Sequence, residues 1–418
     1  MRGGAVIAVA MGVMNLTTYG FTILAARLLG PEEYGALAAV MGLLLVVNVL
    51  SLGLQATGAR RVSAAPDNPA QIEHEVMATS YASALVLGAL ALLATPVVAD
   101  TLNLDSWGAA ALIAVTAVPL SVMGGQAGIL QGERRWAPLA AIYLTVGVGR
   151  LGFGAVALLL EPNTLGAMTG ITVGALLPVV VGWFALRHPD RHRAHPGGRR
   201  PRFEARLPSW GAGGVLRETL HNSHALLAFF ALSNTDVIIA RNTLAPHQAG
   251  LYAGGLILAK AVLFLPQFVV VIAFPAMSQQ GAARRMNLMG LGLVLAIGAV
   301  TVAGVAVLSG LAVVFIGGPE YADLQGRLWM FAALGTLLAM LQLMIYGVVA
   351  RQHQRMVFVA WAALVALLCL APFVHSLTQL LVTVVTIDTV LFAVLLSVSM
   401  LPPAPAPEVT SVEATTVG

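Results

Sequence analysis

The sequence contains very little charge. Only 10% of its 418 residues are Asp, Glu, Lys or Arg, whereas 58% are hydrophobic. An ordinary soluble domain is about 25% charged, so this chain cannot cover a globular surface with polar groups. A cytosolic enzyme is therefore excluded, and the composition predicts a polytopic membrane protein.

Cysteine, lysine and nucleotide-binding motifs are also scarce. The single cysteine, Cys369, lies in an apolar run, which excludes a disulfide scaffold. Lys260 is the only lysine among the 22 basic residues, and the net charge of +4 does not indicate a nucleic-acid partner. No Gly-x4-Gly-Lys-Ser/Thr loop occurs. We therefore expect neither ATP hydrolysis nor catalytic residues, and the chain is predicted not to be an enzyme.

Long apolar runs fill most of the chain. A transmembrane helix needs about 20 apolar residues, and none of the runs has the period-2 alternation of an outer-membrane barrel strand. The first run is too long for the core of a signal peptide, so we expect it to be helix 1. The predicted spans are residues 4–28, 35–58, 77–99, 107–130, 137–160, 164–186, 215–240, 249–275, 288–314, 328–350, 356–374 and 377–400.

The distribution of arginines predicts the orientation of the chain. With the N-terminus in the cytoplasm, 16 basic residues lie in the inside loops and only Arg27, Arg241 and Arg327 lie outside. Cytoplasmic loops of membrane proteins carry an excess of Lys and Arg. We therefore expect a multi-pass protein with both termini in the cytoplasm.

One long basic connection divides the chain into two similar halves. We expect an N-terminal six-helix bundle over residues 1–186, a basic cytoplasmic linker over 187–212, a C-terminal six-helix bundle over 213–401 and a disordered cytoplasmic tail over 402–418. The segment around Pro31 is similar to the segment 215 positions later around Pro246. An even number of helices in each half predicts parallel repeats with a cavity between them, which favours a transporter.

Several motifs resemble one family, the oligosaccharide flippases of the Wzx type. These proteins form the polysaccharide-transporter branch of a superfamily that also contains multidrug exporters and the lipid II flippase. The first motif reads ARLLGPEEYG and is followed by LGL at the end of the second span. The segments that carry the resemblance are residues 26–35, 52–54, 234–244, 250–253, 274–275 and 317–322.

The resemblance implies both a fold and a function. The fold would be all-α, a polytopic integral membrane protein with about 12 transmembrane helices in two parallel-repeat six-helix bundles. The function would be to move an undecaprenyl-diphosphate-linked oligosaccharide from the inner to the outer leaflet of the bacterial plasma membrane, by alternating access, for cell-surface polysaccharide biosynthesis. Membrane lipids, a polysaccharide polymerase and glycosyltransferases are the other candidate partners. Two alternatives stay open: a multidrug exporter of the same superfamily, and a non-transporting membrane component of polysaccharide assembly.

Charged side chains inside the spans are the candidate substrate-binding residues, because such groups are costly in a membrane. Arg150 lies near the middle of the fifth span and Lys260 near the middle of the eighth. A cationic lining would stabilise a diphosphate as it crosses the midplane, and Arg can bind phosphate oxygens with two parallel hydrogen bonds. The alternative for Lys260 is an ion pair with Asp388. Arg217 and Arg27 complete the predicted substrate-binding set.

A second group of polar residues is a candidate site for a coupling ion. Asp236 and Asn234 lie on the seventh span and Asp388 on the twelfth. Carboxylate and amide oxygens suit a hard cation such as sodium, and a buried carboxyl group suits a proton. The alternative for Asp236 is an ion pair with Arg241 near the outer surface.

The start of the seventh span carries a third candidate group. Glu218, His221 and His224 follow one another at intervals of three residues, so they lie on one side of a helix. This pattern predicts a gate or proton relay, although polar residues at a helix start are the alternative. A metal would need ligands from other helices, and none is conspicuous. We therefore expect no metal and no cofactor other than a coupling ion, H+ or Na+.

Overall fold

The computed structural model describes residues 2–64, 69–187, 212–263, 283–350 and 354–400, and the regular elements within these ranges are all helices. Short 3-10 helices occupy Pro319–Arg327 and Ala371–Phe373. The α-helices in chain order are α1 Arg2–Ala64, α2 Pro69–Leu93, α3 Thr95–Thr101, α4 Trp107–Gly132, α5 Trp136–Leu160, α6 Thr164–Arg187, α7 Ala212–Thr243, α8 Pro246–Leu263, α9 Ala283–Val307, α10 Ser309–Ile316, α11 Leu328–Ala350, α12 Gln354–Leu370 and α13 Leu377–Met400.

Helix α1 contains two of the predicted spans as two arms. Gly30 breaks the helix with φ 68° and ψ 175°, a conformation that glycine adopts without the clash of a Cβ atom. Pro31 then begins the second arm, at a position where the missing backbone N–H has no helical partner to lose. The first arm covers residues 2–29 and the second arm covers residues 31–64.

The predicted spans coincide with helices, and the prediction of an all-α polytopic membrane protein is confirmed. Nine helices among the described residues are long and apolar enough to cross a membrane, with both arms of α1 counted as one. Two predicted spans are interrupted. The span 77–99 is broken at Ala94, just before Pro96, and the span 288–314 is broken at Leu308. The end of the span 249–275 lies outside the described residues, which stop in this region at Leu263.

The helices form two groups that meet along α1. Helices α4, α5 and α6 pack on one another and on α1, whereas α11 packs on α8, α9 and α13, and α12 packs on α7. Helix α1 also packs on α7 and α8 of the second group. Of the two segments expected outside the bundles, residues 188–211 of the linker and the tail 402–418 lie outside the described residues.

The two groups of helices are in close contact at a pair of glycines. A Cβ atom on Gly35 would lie 2.9 Å from the Cα atom of Gly250. These two residues are 215 positions apart, as are Pro31 and Pro246. The predicted repeat makes Gly35 and Gly250 equivalent positions, and in the structure they are in direct contact. We call this side of the bundle the Gly30 end and the opposite side, where the second arm of α1 finishes, the Arg60 end.

Candidate functional site

A buried charge cluster lies between α7 and α8. The ammonium group of Lys260 donates a hydrogen bond to the Asn234 side-chain oxygen at 3.1 Å. The Asp236 carboxylate accepts hydrogen bonds from the Tyr252 hydroxyl at 2.9 Å and from the Val237 backbone N–H at 2.8 Å. Asn234, Asp236 and Tyr252 are almost completely buried. The helices therefore hold an acid and a base in one network away from solvent.

Asp388 of α13 completes this C-terminal charge cluster. Its side chain is buried, and its carboxyl group interacts electrostatically with Asp236 and Tyr252. Lys260 in turn interacts with Asp236. Two carboxylates and one ammonium sum to a charge of −1 when all are ionised. A single proton or monovalent cation would therefore neutralise the cluster.

The structure decides between the alternatives that the sequence left open for this group. Arg241 lies five positions after Asp236, but its guanidinium donates hydrogen bonds to the backbone carbonyls of Leu102 and Asn103, both at 2.9 Å. Asp236 is therefore oriented toward Tyr252 and Lys260 instead. Sequence reasoning did not find Tyr252. A tyrosine in an apolar run is an ordinary core residue, and only its position in a segment with family resemblance could have indicated more.

Arg150 lies in the other group of helices, in different surroundings. Positions 147, 150 and 154 share one face of α5, and Gly147 and Gly154 of that face pack against the first arm of α1 at Met14 and Phe21. Arg150 is partly buried. Within the part of the chain that the structure describes, its guanidinium has no hydrogen bond and no ion pair. Arg150 is thus a cation near the middle of a membrane helix without a counter-charge among those residues.

Glu218 joins the two groups at the Arg60 end. Its carboxylate forms ion pairs with Arg60 and with Arg61, the latter at 3.0 Å, and Arg61 also lies 3.9 Å from Glu75 of α2. One turn along α7, Ser223 lies against Gly53 of α1. The acid therefore contacts arginines of α1, in the opposite half of the chain.

Three further predicted residues, Arg217, His221 and His224, lie near the start of α7. Arg217 is exposed near the start of α7, and His224 is partly buried one turn after Thr219. The side chain of His221 lies outside the described residues. Among those that are described, no group of three or more His, Cys, Asp or Glu side chains could hold a metal ion.

Arg27 contacts the other half at the Gly30 end. Its guanidinium donates a hydrogen bond to the backbone carbonyl of Val314 at 2.7 Å. Close by, the hydroxyl of the buried Tyr321 donates to the carbonyl of Ala26 at 3.3 Å. These bonds connect the first arm of α1 to α10 and to the following 3-10 helix, so Arg27 links the two groups of helices at the Gly30 end.

The arrangement of helices is that of the MATE transporters. The chain is similar to an inward-facing multidrug resistance MATE family transporter of the MOP superfamily, with 13% identity, a TM-score of 0.65 and coverage of 95% of this chain and 97% of that chain. A eukaryotic MATE transporter gives 14% identity, a TM-score of 0.61 and coverage of 95% and 94%. An outward-facing multidrug resistance MATE family transporter also gives 14% identity and a TM-score of 0.61, with coverage of 95% of this chain and 94% of that chain. Identities this low establish the fold alone.

The family follows from the sequence itself. No curated protein matches the chain. The family model described as polysaccharide biosynthesis protein matches residues 1–281, which is more than half of the chain. The chain therefore belongs to the polysaccharide biosynthesis protein family, and the resemblance based on the motifs around Pro31 and Pro246 is confirmed at this level.

Proposed function

We propose that this protein is a flippase that moves an undecaprenyl-diphosphate-linked oligosaccharide from the inner to the outer leaflet of the bacterial plasma membrane. The observation that carries the proposal is Arg150, a cation near the middle of α5 without a counter-charge among the described residues, in a member of the polysaccharide biosynthesis family. An uncompensated buried charge is strongly unfavourable. A lipid diphosphate would supply the missing anion, and its oxygens suit the two parallel hydrogen bonds that a guanidinium can donate.

The contacts at the two ends of the bundle support alternating access. With both termini in the cytoplasm, the Arg60 end faces the cytoplasm and the Gly30 end faces outside. The Glu218 ion pairs join the halves at one end, and the Gly35–Gly250 contact joins them at the other. A rocking motion of the two halves would open one of these contacts while it keeps the other. Glu218 is then the gate residue of the cytoplasmic side.

The C-terminal charge cluster would couple this motion to an ion. We favour a proton over sodium because the ammonium group of Lys260 already occupies the Asn234 oxygen that a metal cation would need. Protonation of Asp236 or Asp388 would remove the remaining charge of −1 and so change the cost of exposing the cluster to the cavity. No hydrolysis of ATP is needed in this scheme.

A deletion strain tests the transport function directly. Intact cells are treated with a membrane-impermeant oxidant, and polyprenyl-linked glycans are then analysed by mass spectrometry. We expect accumulated glycan-diphosphate-lipid that survives the oxidant, because it is confined to the inner leaflet. Normal levels of fully oxidant-sensitive glycan lipid would contradict the flippase function.

A multidrug exporter is the second candidate function. Two buried carboxylates, Asp236 and Asp388, could attract an organic cation, and two transporters with this fold are described as multidrug resistance transporters. Arg150, which has no counter-charge among the described residues, argues against a cationic substrate. Increased sensitivity of the deletion strain to cationic drugs, without accumulation of glycan lipid, would favour the exporter.

The energy source is tested by removing one gradient at a time. We expect transport to stop when the proton gradient is collapsed and to continue when the sodium gradient is collapsed. The opposite result would assign the C-terminal charge cluster to sodium. Unchanged transport in both conditions would contradict a coupling role for Asp236.

A further inference from the structure

Three uncharged polar side chains from three helices meet in the N-terminal half. The amide nitrogen of Gln55, in the second arm of α1, donates hydrogen bonds to the Gln131 side-chain oxygen at 2.9 Å and to the Tyr143 hydroxyl at 2.6 Å. Gln131 lies on α4 and Tyr143 on α5. Gln55 and Tyr143 are partly buried and Gln131 is exposed. The cluster is therefore reachable from solvent at the Arg60 end, where α4 finishes.

The cluster keeps unused hydrogen-bonding capacity. Gln55 donates both amide hydrogens to its two neighbours. The amide nitrogen of Gln131 and the hydroxyl hydrogen of Tyr143 have no acceptor among the described residues, and the amide oxygen of Gln55 has no donor among them. The cluster thus offers neutral donors and an acceptor together, with an aromatic ring. A neutral ligand with many hydroxyl groups, which both donate and accept, matches this set.

The helical repeat aligns the cluster with Arg150. Tyr143 and Arg150 are seven residues apart, which is about two turns or about 10 Å along one face of α5. Asn48 and Gln55 have the same separation on α1. The second arm of α1 and α5 run in opposite directions, because Thr164, just after α5, donates its backbone N–H to Glu33 at the Gly30 end. Asn48 therefore lies at about the depth of Arg150.

A further unsatisfied group lies at that depth. The side-chain oxygen of Asn48 is buried and has no hydrogen-bond partner among the described residues. A buried polar atom without a partner is unfavourable unless a ligand or water supplies one. Asn48 and Arg150 thus form a deeper level, at which an acceptor and a donor have no hydrogen-bond partners among the described residues. Gln55, Gln131 and Tyr143 form a neutral level that lies closer to solvent at the Arg60 end.

We propose that Gln55, Gln131 and Tyr143 form a subsite for the sugars next to the diphosphate of the transported lipid, which Arg150 binds one level deeper. This inference rests on the proposed flippase function and adds to it the residues that recognise the glycan. A glycan entering from the cytoplasmic side would replace solvent at Gln131 and Tyr143. A site built to bond hydroxyl groups discriminates against a ligand that lacks them, because its own polar groups are then left unpaired.

The test compares two lipids on the full-length protein in lipid nanodiscs. One probe is the lipid-linked glycan that accumulates in the deletion strain, and the other is undecaprenyl diphosphate without sugar. We expect the wild type to bind the glycan lipid more tightly. Gln55→Leu and Tyr143→Phe should reduce this preference about tenfold, the effect of losing one or two neutral hydrogen bonds, without changing the affinity for undecaprenyl diphosphate.

Two other variants serve as controls. Arg150→Met should weaken the binding of both lipids. Gln126→Leu removes a glutamine from the same helix as Gln131, but Gln126 donates to the Val179 carbonyl of α6 at 3.2 Å and not to the cluster. The preference for the glycan lipid should therefore persist in Gln126→Leu. Should Gln55→Leu fail to fold, the exposed Gln131→Leu gives the same test with little effect on packing.

The two proposals fail in different ways. If Gln55→Leu and Tyr143→Phe keep the wild-type preference for the glycan lipid, the cluster only bridges helices and the subsite is wrong. If no glycan lipid accumulates in the deletion strain, or if the wild type binds neither lipid, the flippase function itself is wrong.

Discussion

Arg150 and Lys260 are both basic residues on apolar helices, one in each half of the chain, yet their surroundings differ. Lys260 donates to Asn234 at 3.1 Å and interacts with Asp236, so its charge is compensated within the protein. Arg150 has no such partner among the described residues. The same type of charge therefore has two different environments in the two halves.

This difference in surroundings suits the two residues to two different roles, ion coupling and substrate recognition. A compensated cluster with a residual charge of −1 can respond to one small ion without a large ligand. An uncompensated cation lowers stability, and only an anion from outside the described chain removes that cost. We therefore propose that the C-terminal half couples transport to the ion and that the N-terminal half recognises the lipid diphosphate.

The largest effect on transport is expected from removing the Arg150 guanidinium. Arg150→Met should lower flipping about 100-fold, the loss that follows from losing a bidentate charge-assisted contact. The unfolding temperature should not fall, since no partner is left behind. The measurement is inner-leaflet glycan lipid by mass spectrometry, together with thermal unfolding of the purified protein. Arg150→Lys keeps the positive charge but not the planar guanidinium group. Its flipping rate should therefore lie between those of the wild type and Arg150→Met. Normal flipping in Arg150→Met would contradict the assignment to the N-terminal half.

Removing the Lys260 ammonium group should lower the stability of the protein, whereas removing the Arg150 guanidinium should not. Lys260→Met leaves two buried carboxylates, so the free energy of unfolding should fall by about 3 kcal/mol. The double variant Lys260→Met with Asp236→Asn should recover most of this loss. The loss should also shrink as the pH is lowered, because protonation removes the carboxylate charge. A double-mutant cycle on thermal unfolding measures the coupling. Additive effects of the two substitutions would show that the two groups are energetically independent.

The smallest effect concerns the ion pairs that join the halves at the Arg60 end. Glu218→Gln should favour opening by about 1 kcal/mol, because the Arg60 side chain is 62% exposed and solvent screens the pair. This corresponds to about fivefold faster thiol labelling of a cysteine at Ser223, which is 6% exposed in the closed end. The exposed Cys369 has to be replaced in the background.

Glu133→Gln is the matched control for this labelling experiment. Glu133 pairs with Arg135 at 3.3 Å within the N-terminal half, so its loss should leave the labelling rate unchanged. Equal rates in Glu218→Gln and the unsubstituted background would mean that the inter-half ion pairs do not hold this end closed.

The structure gives some charged residues partners that local spacing in the sequence does not reveal. Glu218, His221 and His224 are at helical spacing, but the contacts of Glu218 come from Arg60 and Arg61, more than 150 positions away. Arg241 is close to Asp236 in sequence, yet it bonds to backbone carbonyls of the segment after α3. Long-range packing supplies these partners, and helical periodicity contains no information on it.

The sequence by itself determined that the chain spans a membrane and where its helices lie. Length and apolarity are sufficient for both, since a helix in lipid must satisfy its own backbone. The offset between Pro31 and Pro246 predicts two related halves. Only the tertiary structure decided that Lys260 interacts with Asp236, while Arg150 has no counter-charge among the described residues. The cost of a buried charge depends on what other helices bring within a few ångströms of it, and that is a property of the packing.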